Sequence, residues 1–67
     1  MSDIEYLELL RTGQRNVYQH LMRYIRTQED LYFETGKDDE SIDTMIRKYR
    51  TELCNYNRKI REEMERE

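Results

Sequence analysis

The sequence contains no proline and only two glycines, and both scarcities favour long, uninterrupted helices. Its one cysteine, Cys54, has no second cysteine with which to form a disulfide within the chain. Its one histidine, His20, is too few for the Cys/His zinc sites of small domains. No apolar run approaches the length of a membrane span, and the N-terminus lacks a signal-peptide core. We therefore expect a cytoplasmic protein that holds no metal or other cofactor and does not enter a membrane.

The chain of 67 residues has room for one domain, which we place over residues 1–67. Domains of this size have marginal cores unless a crosslink, a metal or a partner stabilises them. Charged residues make up 40% of the chain and apolar residues 36%, a balance close to that of disordered proteins. The regular spacing of the apolar residues argues against disorder, so we expect a folded chain that depends on a partner.

The clearest pattern lies in the C-terminal half, where apolar residues recur at alternating steps of four and three. They are Ile42, Ile46, Tyr49, Leu53, Tyr56 and Ile60. This spacing aligns side chains on one face of an α-helix. A second stripe includes Leu10, Val17 and Leu21 in the N-terminal half, and Gln14 and Gln28 occupy positions where it would otherwise be apolar. Polar residues at such positions often set the register of a helix pair or its choice of partner.

Local signals predict where the two helices begin and end. Ser2 and Glu5 form the capping-box pattern of a helix N-terminus. Gly36 suits the left-handed residue just past a helix, and Asp38 or Asp39 suits the N-cap of the next one. We predict a helix over about residues 3–34, a turn over about 35–39 and a helix over about 40–65.

Gly13 leaves two interpretations of the first helix open. An interior glycine costs about 1 kcal/mol relative to alanine, so a short helix could end near Gly13 and a second begin near Arg15. The apolar stripe keeps its phase from Leu10 to Val17, and a loop would disturb that phase. We therefore favour one continuous helix.

A short connection between two long helices predicts an antiparallel hairpin. If the turn centres near residues 37–38, Tyr18 would lie beside Arg58 and Gln28 beside Lys48. The apolar arc of the first helix is too wide for one neighbouring helix to cover. We therefore predict an all-α fold in which the hairpin completes a four-helix bundle, by dimerisation or by packing on a partner.

Charge is segregated along the chain into alternating blocks. Residues 3–8, 29–43 and 62–67 are acidic, whereas residues 9–28 and 47–61 are basic. The hairpin brings the two basic blocks together as a basic waist between acidic ends. Arginines interleaved with aromatic residues are typical of nucleic-acid binding. The candidates are Arg11, Arg15, Arg23, Arg26, Arg47, Arg50, Arg58 and Arg61.

A second interpretation of the same charges is that they form solvated faces with salt bridges inside the bundle. The net charge of −3 weakens long-range attraction of a polyanion. Acidic residues near the C-terminal end of the first helix oppose the helix dipole, and a basic partner would explain their presence. Residues 62–67 would otherwise pair with Arg11 and Arg15. The candidate partner-binding residues are Tyr6, Tyr18, Met22, Phe33, Glu29, Asp30 and Glu34.

Two resemblances concern parts of this pattern. The hairpin layout is similar to that of the Rop-type plasmid copy-number regulators, which implies dimerisation and binding of paired RNA loops, although no motif is shared. The stretch Thr51-Glu52-Leu53-Cys54 resembles the Ser-Gln-x-Leu-Asp signature of small hairpin phosphatases that act on sporulation response regulators. The signature aspartate is absent here, so no catalytic residue is carried over.

These observations predict a non-enzymatic, phage-like small helical protein that acts as a regulator or inhibitor through protein–protein interaction. Its partner would be itself, as a homodimer, or a larger host protein. The alternative is a Rop-like homodimer that binds nucleic acid through the basic waist. A third interpretation is a purely structural bundle subunit. An enzyme is disfavoured because no spacing brings a nucleophile or carboxylate to His20, and Cys54 lies off its stripe.

Overall fold

The computed structural model describes residues 3–66, which form two α-helices, α1 (Ile4–Thr35) and α2 (Glu40–Met64), joined by residues 36–39. The helices pack against each other as an antiparallel hairpin that measures 52 × 14 × 13 Å. The predicted all-α hairpin is confirmed, whereas its completion to a four-helix bundle stays a prediction. Neither helix within residues 3–66 is long and apolar enough to cross a membrane.

Asp3 fixes the N-terminus of α1 through two hydrogen bonds. The Asp3 carboxylate caps the helix by accepting a hydrogen bond of 3.2 Å from the backbone N–H of Tyr6. The predicted capping box includes Ser2, which lies outside the described residues. The backbone N–H of Asp3 donates to Oε1 of Glu63 at 2.9 Å. This bond ties the beginning of α1 to the last turn of α2.

The turn has the chemistry that its residues predict. Gly36 follows α1 in the left-handed conformation, with φ of 73°, and its N–H donates to the carbonyl of Tyr32 at 2.8 Å. Asp39 caps α2, and its carboxylate accepts from the backbone N–H groups of Ser41 at 2.8 Å and Ile42 at 3.2 Å. The predictions for Gly36 and for Asp39 as the cap are confirmed.

The hairpin is held together by a seam of residues that face the other helix. On α1 the seam comprises Leu7, Leu10, Gln14, Val17, Leu21, Tyr24, Gln28 and Leu31, and on α2 it comprises Ile42, Ile46, Tyr49, Leu53, Tyr56, Ile60 and Glu63. The apolar residues that are buried are Leu10, Val17, Leu21 and Ile46, and the remaining seam residues are mostly half-buried. The described part of the chain therefore has a small core.

The register of the hairpin differs from the predicted one. The Gln28 side chain lies against Asp39, donating to its carbonyl at 3.1 Å and accepting from its N–H at 2.9 Å. It was predicted to lie beside Lys48. Since Asp39 caps α2, the second helix begins beside Gln28 and not beside the end of α1.

The same shift appears in the middle of the hairpin. Gln14 donates a hydrogen bond to the Asn57 side chain. Asn57 directly precedes Arg58, which was predicted to lie beside Tyr18, one turn farther along α1. The cause is the path of residues 36–39, which run back along α1. Four residues span at most about 13 Å, and the seven helical residues from Gln28 to the end of α1 rise about 10 Å.

Gly13 does not interrupt α1, so the prediction of one continuous helix is confirmed. The structure also explains why a glycine occupies this position. A Cβ atom at Gly13 would lie 2.6 Å from Cε1 and Cζ of Tyr56. The missing side chain therefore lets the Tyr56 ring pack directly against the backbone of α1.

Gly13→Ala is expected to lower the free energy of unfolding by about 1 kcal/mol. The alanine gains about 1 kcal/mol in helix propensity, but displacing the Tyr56 ring costs about 1–3 kcal/mol. In a Tyr56→Ala background the ring is absent, so Gly13→Ala should instead stabilise the hairpin by about 1 kcal/mol. Urea denaturation of the four proteins measures this reversal. Effects of the same sign in both backgrounds would show that Tyr56 does not explain the glycine.

Candidate interaction face

The hairpin has two long sides beside its seam, and hydrogen bonding shows which flanks of the helices share a side. The Gln14–Asn57 bond places the flank of α2 that carries Asn57 next to the matching flank of α1. On both helices this side is formed by the residues that directly follow each seam residue. We call it the arginine face. It comprises Ile4, Glu8, Arg11, Arg15, Tyr18, Met22, Ile25, Glu29 and Tyr32 of α1, and Asp43, Arg47, Arg50, Cys54, Asn57, Arg61 and Met64 of α2.

Arginine is the only basic residue type on the arginine face. Its members there are Arg11, Arg15, Arg47, Arg50 and Arg61, and all five are exposed. Lys48 and Lys59 directly precede seam residues and so lie on the opposite face. A guanidinium is planar and presents several donors, which suits paired hydrogen bonds to carboxylates and phosphates. The face is thus both basic and restricted to the side chain that binds oxyanions in a bidentate manner.

Within residues 3–66, one of these five arginines, Arg47, forms an ion pair with an acidic side chain. The ion pairs join Arg47 to Asp43 at 3.1 Å and Arg66 to Glu63 at 3.6 Å. The predicted pairing of the acidic tail with Arg11 and Arg15 is therefore not formed by residues 62–66, and Glu67 lies outside the described residues. The arginines of this face are solvated, as the second interpretation expects, and salt bridges inside a completed bundle stay a prediction.

The arginine face also carries most of the large apolar side chains that remain exposed. Of the eight within residues 3–66, five lie on it: Ile4, Tyr18, Met22, Tyr32 and Met64. Tyr18 is 52% exposed and Met22 44% exposed. Ile4, Tyr18, Ile25 and Tyr32 share one heptad position, which is the repeat of a helix–helix seam. The face therefore resembles a second seam for which the hairpin supplies no helix.

The register locates the arginines relative to this apolar stripe. Tyr49 stacks on both His20 and Tyr24, with ring centroids 5.6 Å apart in each case. This stacking places Arg47 and Arg50 across from Met22 and Ile25. The bond from Gln14 to Asn57 likewise places Cys54 across from Tyr18 and Arg61 near Arg11. A central apolar patch of Tyr18, Met22, Ile25 and Cys54 is therefore bordered by arginines across the seam and toward the N-terminus of α1.

The structure divides the two sets of predicted site residues. Of the candidate partner-binding residues, Tyr18, Met22 and Glu29 lie on the arginine face, and Phe33, which is 91% exposed, lies on the outer surface of α1. Tyr6, Asp30 and Glu34 lie on the opposite face. Of the candidate nucleic-acid-binding residues, Arg11, Arg15, Arg47, Arg50 and Arg61 lie on the arginine face, Arg26 and Arg58 lie on the outer surfaces of the helices, and Arg23 lies on the opposite face.

Sequence reasoning missed Ile4, Ile25, Cys54 and Met64 as members of this face. The signal was present, since Ile25, Cys54 and Met64 each directly follow a seam residue and Ile4 shares the heptad position of Ile25. Combining the two helices into one surface, however, required knowing which flanks meet.

Within residues 3–66, no group of three or more His, Cys, Asp or Glu side chains is arranged to hold a metal ion.

Comparison with known proteins gives no relative from which to assign this face. No protein-family model matches the chain, no curated protein matches it, and no solved structure matches it.

Proposed function

We propose that this chain is a cytoplasmic, non-enzymatic regulator that acts by binding a larger protein through the arginine face. The observation that carries the proposal is the exposure of Tyr18 and Met22 at the centre of that face, with arginines across the seam and toward the N-terminus of α1. The hairpin buries few apolar side chains of its own, so binding would also stabilise it.

The composition of the face is that of a protein interface. Tyrosine, methionine and arginine are enriched in such interfaces and lysine is depleted. Residues that dominate binding energy lie near the centre of an interface, and the surrounding contacts exclude water from them. Tyr18 and Met22 occupy the central position here, and the arginines occupy the border. One or two partner helices laid on this face would complete the predicted bundle.

Tyr18→Ser/Met22→Ser is expected to weaken capture of the partner strongly. Tagged full-length protein is incubated with nuclease-treated lysate of its native cells, and the retained proteins are quantified. We expect the unmodified chain to retain one protein in a molar amount nearly equal to its own. Truncating two central side chains should weaken its retention by about 10-fold to 100-fold.

The matched control is Tyr6→Ser/Leu9→Ser, which removes two exposed apolar side chains from the opposite face. It should leave capture unchanged, and circular dichroism should show the same helix content in both variants. Equal losses in the two variants, or capture that disappears with nuclease treatment, would contradict the proposal.

A second candidate function is nucleic-acid binding by a homodimer of this chain. It is favoured by the convergence of five arginines on one face. It predicts that log affinity falls linearly with log salt concentration, by roughly 0.7 to 0.9 per phosphate contacted. Arg11→Ala/Arg15→Ala/Arg61→Ala should then reduce both affinity and the salt slope. Unchanged binding of an RNA or DNA probe in this variant would remove the candidate.

A further inference from the structure

We infer that the element which docks on the arginine face is an acidic amphipathic helix of the partner protein. It would lie along the groove between α1 and α2, with its apolar stripe on Tyr18, Met22 and Ile25 and its carboxylates on the arginines. The inference rests on the proposed function, because it names the chemistry of the partner at the same face.

The apolar residues favour a helix over other docking elements. Ile4, Tyr18, Ile25 and Tyr32 recur at intervals of seven along α1, with Arg11 completing the series. A helix with a heptad stripe meets one such side chain for every two of its own turns. Amphipathic helices laid into grooves use apolar anchors at this spacing.

The charges favour an acidic helix. Between Arg11 and Ile25 of α1, and between Arg47 and Arg61 of α2, the arginine face contains no carboxylate. Glutamates that flank the apolar stripe of a docked helix would reach the guanidinium groups on both of its sides. Such pairs select the partner, since a basic helix at the same place would be repelled.

The same charges disfavour the other occupants. A second copy docked through the same face would bring ten arginines together, five from each chain. For nucleic acid, the central patch of Tyr18, Met22, Ile25 and Cys54 offers no cationic ligand for phosphate. An acidic amphipathic helix would cover the patch with its apolar stripe and pair its carboxylates with the arginines at the border.

The test uses two synthetic peptides of about three heptads, each with a leucine stripe. In one the stripe is flanked by glutamates, and in the other by lysines. Fluorescence anisotropy measures their binding to the full chain, with an RNA duplex as a third probe. We expect binding of the glutamate peptide only. Arg15→Glu/Arg50→Glu should weaken that binding by about tenfold and should create binding of the lysine peptide. The control Lys48→Glu/Lys59→Glu makes the same charge change on the opposite face and should change binding by less than about twofold.

Four outcomes would overturn the inference: equal binding of the two peptides, binding of neither, preferential binding of the RNA duplex, or efficient crosslinking of two chains through Cys54 when an oxidant is added. The protein captured from lysate separates this inference from the proposed function. If Tyr18→Ser/Met22→Ser releases that protein and Arg15→Glu/Arg50→Glu does not, the proposed function stands and the acidic helix is excluded. If neither variant releases it, both are wrong.

Discussion

The Leu21→Ala protein is expected to be largely unfolded at 25 °C in the absence of a partner. Leu21 is 6% exposed and is one of the few buried apolar residues of the hairpin. Truncating a buried leucine costs about 2–5 kcal/mol, and the core of a domain this small rarely supplies more than about 3–5 kcal/mol. Far-UV circular dichroism through a urea titration measures the loss of helix content and of stability.

The matched control is Leu9→Ala, which removes the same atoms from a side chain that is 71% exposed. It should change the free energy of unfolding by less than about 0.5 kcal/mol. If Leu21→Ala keeps a cooperative transition and loses no more stability than Leu9→Ala, the seam described above is not the core of the protein.

Gln28→Ala is expected to lower the free energy of unfolding by about 2 kcal/mol. Gln28 is 8% exposed, and its side chain satisfies both the N–H and the carbonyl of Asp39. Its removal leaves the partly buried N–H of Asp39 without a partner and frees the linker that positions α2, while the Asp39 carbonyl keeps its bond of 2.9 Å from the N–H of Asp43. Urea denaturation measures the loss, and amide hydrogen exchange at Asp39 should accelerate.

Gln19→Ala is the comparison, since Gln19 is exposed on the outer surface of α1. It should unfold at nearly the urea concentration of the unmodified protein. Equal midpoints for the two glutamine variants would mean that the Gln28–Asp39 contact does not determine the register.

The boundaries of the fold were predictable because they depend on local chemistry. Gly36 indicates the end of the first helix, and Asp39 indicates the beginning of the second. The alternating spacing from Ile42 to Ile60 defines the side of α2 that faces α1. The register was not predictable in the same way. It depends on the path of residues 36–39 and on a contact between Gln28 and Asp39, which are eleven positions apart.

The sequence allowed some residues of the candidate site to be predicted, but not how they are arranged on the surface. Tyr18, Met22 and the arginines stand out in the sequence as exposed apolar and basic residues. Tyr6 was grouped with Tyr18, although the two lie on opposite faces. Their separation follows from their positions relative to the seam, which the packing of both helices defines. The same holds for Gly13, whose role depends on the ring of Tyr56 on the other helix.

The most direct test of the arginine face as the binding surface is the alkylation rate of Cys54 with and without the captured protein. Cys54 is the single cysteine of the chain, is exposed and belongs to the central patch. Cys54→Ser/Asn55→Cys moves the thiol to the opposite face, one position along α2. We expect the complex to slow alkylation sharply at position 54 and to leave the rate at position 55 unchanged. An unchanged rate at position 54, or protection at position 55 alone, would contradict the account.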